Sequence, residues 1–387
     1  MNEHKSVPNI RFRCFEANWR EKNFQEILTI NSGKDYKNLS IGNIPVYGTG
    51  GLMLYVNESL SNKDAVGIGR KGTINKPQYL RAPFWTVDTL FFMIPRKNFD
   101  ISFIFCLSQK INWKKYDEST GLPSLSKKVI SKISSYVPEI KEQQKIGDFF
   151  TKLDKLLDLQ QQKIDKLELL KKALLQKLFP KHDAKIPELR FKGFEDEWEP
   201  KCLGKLGFFE SGNGFPKNEQ GKKIGIPFFK VSDLGSSFKL TKAKNYVAPE
   251  QIKSNKWKVI DPTKNGAIVF AKIGAAIFLN RKRLVMKPFL IDNNLMAYVI
   301  SENVNRNFVM ANIQMINFSK FVQVGAIPSI NSGDLKKIKI SQPINLSEQQ
   351  KIGSLLSKVD QLIELENKKL QDFQQVKKCL LQNMFVE

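Results

Sequence analysis

Two identical six-residue segments, Glu142-Gln-Gln-Lys-Ile-Gly147 and Glu348-Gln-Gln-Lys-Ile-Gly353, lie 206 positions apart in the chain. Each opens a stretch of about 40 residues that, once past the segment, holds no Gly and almost no Pro. Apolar residues recur there at alternating steps of four and three, the period of a helix that pairs along a seam. The first series runs from Ile146 through Phe150, Leu153 and Leu157 to Leu178, broken by Gln160 and Lys171. The second runs from Ile352 to Met384 and is broken at the matching places, Glu366 and Lys377. Equal length and shared polar breaks predict that the two helices pair with each other. Antiparallel pairing would relate the halves of the chain by a pseudo-two-fold axis.

The beginnings of the halves also repeat. Pro8-x-x-Arg11-Phe12-x-x-Phe15-Glu16-x-x-Trp19 returns as Pro187-x-x-Arg190-Phe191-x-x-Phe194-Glu195-x-x-Trp198, an offset of 179. Between head and helix the offset only rises, from 182 at Ile44/Ile226 to 202 at Ala65/Ala267 and 205 at Pro123/Pro328. One topology with loop insertions explains this drift, and most of the growth falls between Phe229 and Ile268. The interiors read as short strands and turns: Ile44-Pro-Val-Tyr before Gly48-Thr-Gly-Gly51, the run Trp85 to Met93, Gly266 to Phe270 and Leu295 to Ile300. The expected class is α+β: two β-rich globular domains joined by two long antiparallel coiled-coil helices in an internal repeat. The aromatics Tyr47, Trp85, Phe228, Phe229 and Trp257 are expected in the cores.

Little in the chain points to catalysis. Cys14, Cys106, Cys202 and Cys379 stand far apart, and His4 and His182 are the only histidines, which disfavours zinc sites, disulfides and histidine acid-base chemistry. Gly67-Ile-Gly69-Arg-Lys-Gly72 matches a dinucleotide fingerprint, but Thr73-Ile-Asn-Lys-Pro77 follows where a helix would be needed. A Gly-rich basic turn fits better. No phosphate-loop motif and no Pro-Pro dipeptide of an amino-group methyltransferase core are present.

Charge is the stronger signal. With 62 Lys+Arg against 38 Asp+Glu the net charge is +24, which favours a polyanionic partner, nucleic acid foremost. The excess is unequal: 16 basic against 4 acidic residues between Phe215 and Leu290, and 14 against 7 between Lys34 and Lys128. Residue type and nearness to turns single out Thr49, Arg70, Lys71 and Thr73 in the first half as DNA-binding candidates. In the second half they are Lys217, Lys222, Lys223, Lys230, Ser232, Lys272, Asn280, Arg281, Lys282 and Arg283. Most of these charges would position a duplex through its phosphates, and a few would read base edges. No apolar run is long enough to span a membrane, and the first residues, Met-Asn-Glu-His-Lys, lack a signal-peptide core. A cytoplasmic location is expected.

The ordered set of repeated heads, Pro-Ser turns (Pro123, Pro328) and Glu-Gln-Gln-Lys-Ile-Gly helix openings resembles the specificity subunits of type I restriction-modification enzymes over essentially the whole chain. That resemblance implies target-recognition domains at residues 1–138 and, with a linker, 181–342, and conserved helices at 139–180 and 343–387. It also implies a non-catalytic chain that binds a bipartite asymmetric site on double-stranded DNA, with the helices as the ruler. Partners would be two methyltransferase subunits and restriction subunits, which carry S-adenosylmethionine, ATP and Mg. This chain itself would hold no cofactor. The competing readings are a stand-alone coiled-coil adapter for nucleic acid or protein, and an enzyme using a nucleotide at Gly67 to Gly72.

Overall fold

The computed structural model describes residues 6–181, 184–214, 223–235, 238–262, 264–323 and 325–386. The chain forms two compact units, residues 1–161 with 369–387, and residues 162–368. Each long helix therefore gives its first half to one unit and its second half to the other. Among the described residues no helix is long and apolar enough to cross a membrane.

The first unit contains strands β1 (Arg20–Asn23), β2 (Leu28–Ser32), β3 (Ile41–Gly48), β4 (Gly51–Val56), β5 (Ala65–Gly69), β6 (Gln78–Leu80), β7 (Trp85–Thr86), β8 (Leu90–Pro95) and β9 (Ser134–Val137). Its helices are α1 (Phe24–Ile27), α2 (Ile101–Lys110), α3 (Lys127–Lys132) and the start of α4 (Ile140–Lys177). An antiparallel sheet in the order β2-β8-β5-β6 lies beside a three-stranded sheet, β4-β3-β7, in which β3 and β7 are parallel. The expected single strand over Trp85 to Met93 is thus two strands in different sheets. The turn Val87-Asp88-Thr89 separates them because Thr86 and Leu90 both turn their carbonyls to the β2–β3 connection, accepting from Lys34 N and Gly33 N.

The second unit repeats the plan with β10 (Glu199–Cys202), α5 (Leu203–Leu206), β11 (Gly207–Ser211), β12 (Ile226–Phe229), β13 (Asn245–Val247), α6 (Pro249–Ser254), β14 (Ala267–Ala271) and β15 (Lys282–Val285). It continues through β16 (Leu290–Ile291), β17 (Leu295–Ile300), α7 (Arg306–Met315), β18 (Val322–Gln323), β19 (Ser329–Ile330), α8 (Ser332–Lys337), β20 (Lys339–Gln342) and α9 (Leu346–Asn383). Its sheets, β11-β17-β14-β15 and β13-β12-β16, match those of the first unit strand for strand. The growth in offset is also placed. The β3–β4 loop is Thr49-Gly50, whereas β12 and β13 are joined by residues 230–244, and α6 is inserted before β14.

The repeated motifs explain how each helix is seated. Glu142, 1% exposed, accepts from Arg11 Nε and Nη2 at 2.8 Å each, a fork-to-fork pair that ties the Pro-x-x-Arg head to the helix base. Glu348 does the same for Arg190 at 2.8 and 2.9 Å. Gln143 Nε2 donates to the Pro138 carbonyl and Gln349 Nε2 to that of Pro343, satisfying backbone groups just upstream of the helices. A Cβ at Gly147 would fall 2.6 Å from Asp100 Oδ1, the acceptor that caps α2, and one at Gly353 would fall 2.5 Å from Asn305 Oδ1, which caps α7. Only glycine lets these helices approach so closely.

The far ends of the helices are anchored in the same symmetric way. In the first unit the Asn383 carbonyl, at the end of α9, accepts from Ile10 N, and Phe385 enters the core against Trp19, Phe103 and Phe150. In the second the Lys177 carbonyl, at the end of α4, accepts from Leu189 N, and Phe179 packs on Trp198 and Phe308. Each head thus satisfies a carbonyl that a helix terminus would otherwise leave orphaned. Phe385 is 2% exposed and Phe179 5%.

The seam is antiparallel. Lys163 pairs with Glu366 at 2.8 Å and Lys171 with Asp360 at 2.5 Å in the second unit, so partner numbers fall as α4 advances. In the first unit Asp154 pairs with Lys377 at 2.5 Å. The polar breaks Lys171 and Lys377 thus face acidic partners that are themselves 206 residues apart, Asp360 and Asp154. Charged pairs at seam positions penalise slipped registers, which leave each charge half-buried without its partner. Burial pushes the Asp360 carboxyl up even with Lys171 beside it.

Candidate nucleic-acid interface

Strand register gathers loops from separate parts of the sequence at one end of each unit. In the first unit Tyr47, at the end of β3, accepts at its carbonyl from Val87 N, and Arg70 N donates to the Thr89 carbonyl. Gln78, at the start of β6, donates from Nε2 to the Gly48 carbonyl at 2.9 Å and the Thr49 carbonyl at 3.3 Å. The β3–β4 tip, the β5–β6 loop and the β7–β8 turn therefore form one surface. It brings together Thr49, Arg70, Lys71 and Thr73, of which the last three are exposed. The Arg70 guanidinium lies 5.8 Å from the centre of the Phe91 ring.

The fingerprint-like glycines serve this turn. Gly67 and Gly69 lie within β5, and a Cβ on Gly69 would fall 2.2 Å from the Thr73 carbonyl oxygen. Gly72 takes φ +82 and leads through the β5–β6 loop into a strand, so no helix begins directly after the segment. A pyrophosphate cradle of the dinucleotide-binding kind needs a helix N-terminus there, and the geometry does not supply one.

In the second unit the matching end is built from β11, β12, β14 and the β16–β17 turn. Lys272 N donates to the Asn294 carbonyl, Asp292 N to that of Phe229 and Asn213 N to that of Ile291. Lys230, Ser232 and Lys272 meet here. Lys272 Nζ donates to Ser211 Oγ at 3.3 Å, and burial lowers its ammonium from the usual lysine range while Asp292 opposes the shift. Burial raises the Asp292 carboxyl, partly countered by the Asn294 amide. Ser232 is exposed in a single 3-10 turn, Val231–Asp233, held by Asp233 Oδ2 accepting from Lys230 N at 2.8 Å. Lys223 is exposed before β12, and Lys217 and Lys222 lie outside the described residues.

Four other candidates have internal work, which corrects the charge-based reading at two of them. Lys282 is 4% exposed, its Nζ donating to the Ile316 carbonyl at 2.6 Å and Asn280 Oδ1 at 3.0 Å, with the Phe318 ring centre 4.6 Å away. Asn280, with φ +49, also accepts from Phe318 N, so its carboxamide closes the same internal cluster. Both side chains are committed to this internal cluster. Arg281 remains exposed with Nη1 on the Leu234 carbonyl at 3.0 Å, and Arg283, half-buried, holds the Gly235 carbonyl. Arg281 and Arg283 thus brace the β12–β13 connection and leave Arg281 at its surface.

Desolvation among neutral acceptors lowers the Lys282 ammonium from 10.5 to about 7. The unfolded chain then holds more protons than the folded one between pH 7 and 10.5, so stability should rise with pH across that window. Urea titrations of wild type and Lys282→Met at several pH values test this. The wild type should gain stability relative to the variant on going from pH 7 toward 10, and parallel curves would contradict the assignment.

Comparisons with known proteins identify the class. The family described as the type I restriction modification DNA specificity domain matches twice, over residues 16–169 and 195–375, and the chain belongs to that family. The type I restriction enzyme MjaVIII specificity subunit of Methanocaldococcus jannaschii is 24% identical over 282 residues, 69% of this chain and 65% of that protein. The alignment thus spans just under two thirds of that relative's length. A putative type I specificity subunit of Haemophilus influenzae is 23% identical over 90% of this chain and 88% of its own. The fold is shared with the crystal structure of the type I restriction-modification S subunit from M. genitalium, at TM-score 0.70, 13% identity and coverage of 98% and 99%. A chain from a structure of complex assembly in the type I R-M system aligns at TM-score 0.54 and 16% identity over 94% and 96%.

Proposed function

We propose that this chain is the non-catalytic DNA-specificity subunit of a type I restriction-modification complex. Each unit reads one half of a bipartite, asymmetric duplex target, and the paired helices set the distance between the half-sites. The observation that carries this reading is the contrast between frame and loops. The head-to-helix pairs and the seam pairs Lys171–Asp360 and Lys377–Asp154 repeat at matching positions, whereas the loop ends differ: a two-residue hairpin loop in one unit stands against residues 230–244 in the other. A symmetric frame suits two copies of one partner, and unlike loop ends suit two unlike half-sites.

Thr49, Arg70, Lys71 and Thr73 would meet one half-site and Lys223, Lys230, Ser232, Lys272 and Arg281 the other, chiefly through phosphates. Catalysis would then reside in partners: methyltransferase subunits using S-adenosylmethionine, and restriction subunits using ATP and Mg. The chain would work in the cytoplasm. Co-expression with a type I methyltransferase subunit tests the assembly, and a stable complex of two such subunits with one copy of this chain is expected. A chain that ignores that subunit and homodimerises through its helices would instead support the stand-alone adapter.

A further inference from the structure

The β3–β4 ribbon of the first unit carries apolar surface that its core does not use. Leu52, Met53 and Tyr55 on β4 are 51%, 52% and 49% exposed, close to the two-residue tip. The register explains why two consecutive residues are both uncovered. Val46 pairs with Leu54 and Tyr47 with Leu52, so Met53 is the extra residue of a β-bulge, a device that re-aims side chains. β4 is an edge of its sheet, and a Cβ on Gly50 or Gly51 would meet no atom within 4 Å, so the apex of the ribbon is open around these two glycines. Gln78 ties this tip to the β5–β6 loop, where Arg70 and Lys71 are exposed. An apolar ribbon edge flanked by cations, in a chain of net charge +24, complements a polyanion with apolar groups at the floor of a groove.

We propose that the β3–β4 ribbon enters the major groove of one half-site and that Leu52 and Met53 read thymine through its 5-methyl group, with Tyr55 alongside. This rests on the DNA-specificity reading above. The dimensions agree: a major groove about 12 Å wide admits a two-stranded ribbon, and the thymine methyl is the apolar mark on its floor. Arg70 and Lys71 take the flanking phosphates, which fixes the depth of entry without choosing the base.

The test uses the complex of the full chain with its methyltransferase subunits, after methylation mapping has given the target. Duplexes carry that target with single thymines replaced by deoxyuridine, which lacks only the 5-methyl. At one or more thymines of a single half-site, wild type should bind about fourfold more weakly, the worth of one buried methyl group. Leu52→Ala with Met53→Ala should lose that sensitivity and keep its response to changes in the other half-site. Specific binding by wild type that is indifferent to every deoxyuridine overturns the proposal alone, and needs no variant to fold. Retained sensitivity in the double variant overturns it too, as does loss of the methyltransferase subunits from that variant without any deoxyuridine effect, which would make the ribbon a protein-docking edge. Absence of any sequence-specific binding would overturn the specificity reading as well.

Discussion

Glu142→Ala should destabilise the first unit by about 3–5 kcal/mol, the cost of stranding one member of a buried ion pair. The carboxylate is 1% exposed and takes two hydrogen bonds from Arg11, whose guanidinium also holds the Ala17 carbonyl. Removing the carboxylate leaves that cation largely enclosed and frees the head from the helix base. Arg11→Met combined with Glu142→Leu should recover much of the loss, because no charge is then stranded. Glu348→Ala should act alike on the second unit through Arg190. Urea denaturation followed by hydrogen exchange resolved to each unit measures both, and a loss below about 1 kcal/mol would show that the head is not anchored through this pair.

The second large effect concerns the helices. Each has 38 residues, about 57 Å at 1.5 Å per residue. Inserting four helix-forming residues after Gln161 and four after Asn367 lengthens the antiparallel pair by about 6 Å, against about 3.4 Å per base pair. If the pair is the ruler, the spacer of the methylated target should grow by one or two base pairs with both half-sites unchanged. Methylome sequencing of a host carrying the variant reads this directly, and an unaltered spacer would remove the helices from that role.

Much of the frame is legible in the sequence because its signals are local and repeated. The four-three spacing places Ile146, Phe150, Ile352 and Leu356 in buried positions and others, such as Leu157 and Leu370, in half-buried ones, and Phe373, at 37% exposure, is the exposed apolar member of the two series. Trp85, Phe228 and Phe229 are buried as expected. The physical reasons for the motifs are not legible, since each joins residues far apart in the chain: Glu142 needs Arg11, and Gly147 needs Asp100. The plug residues Phe179 and Phe385 had a usable signal, an aromatic repeated at the same 206-residue offset as the helices.

The candidate interface is legible less fully. Register brings Arg70 and Thr49 to one surface and Lys230 and Lys272 to another, which proximity to turns anticipates. Charge alone does not give direction. In the run Arg281-Lys282-Arg283, alternation along a strand sends Lys282 inward, where Asn280 and the Ile316 carbonyl receive it. The exposed apolar ribbon escapes a charge-based search altogether, because Leu52 and Met53 look like core residues until the bulge is seen.

On the proposed function, two unlike readers share one symmetric frame. Replacing residues 207–340 with the corresponding segment of another family member, then mapping methylation at single-molecule resolution with the native methyltransferase partner, tests it most directly. One half-site should change, while the other half-site and the spacer length stay as they were. A target changed in both halves, or in neither, would rule out two independent readers.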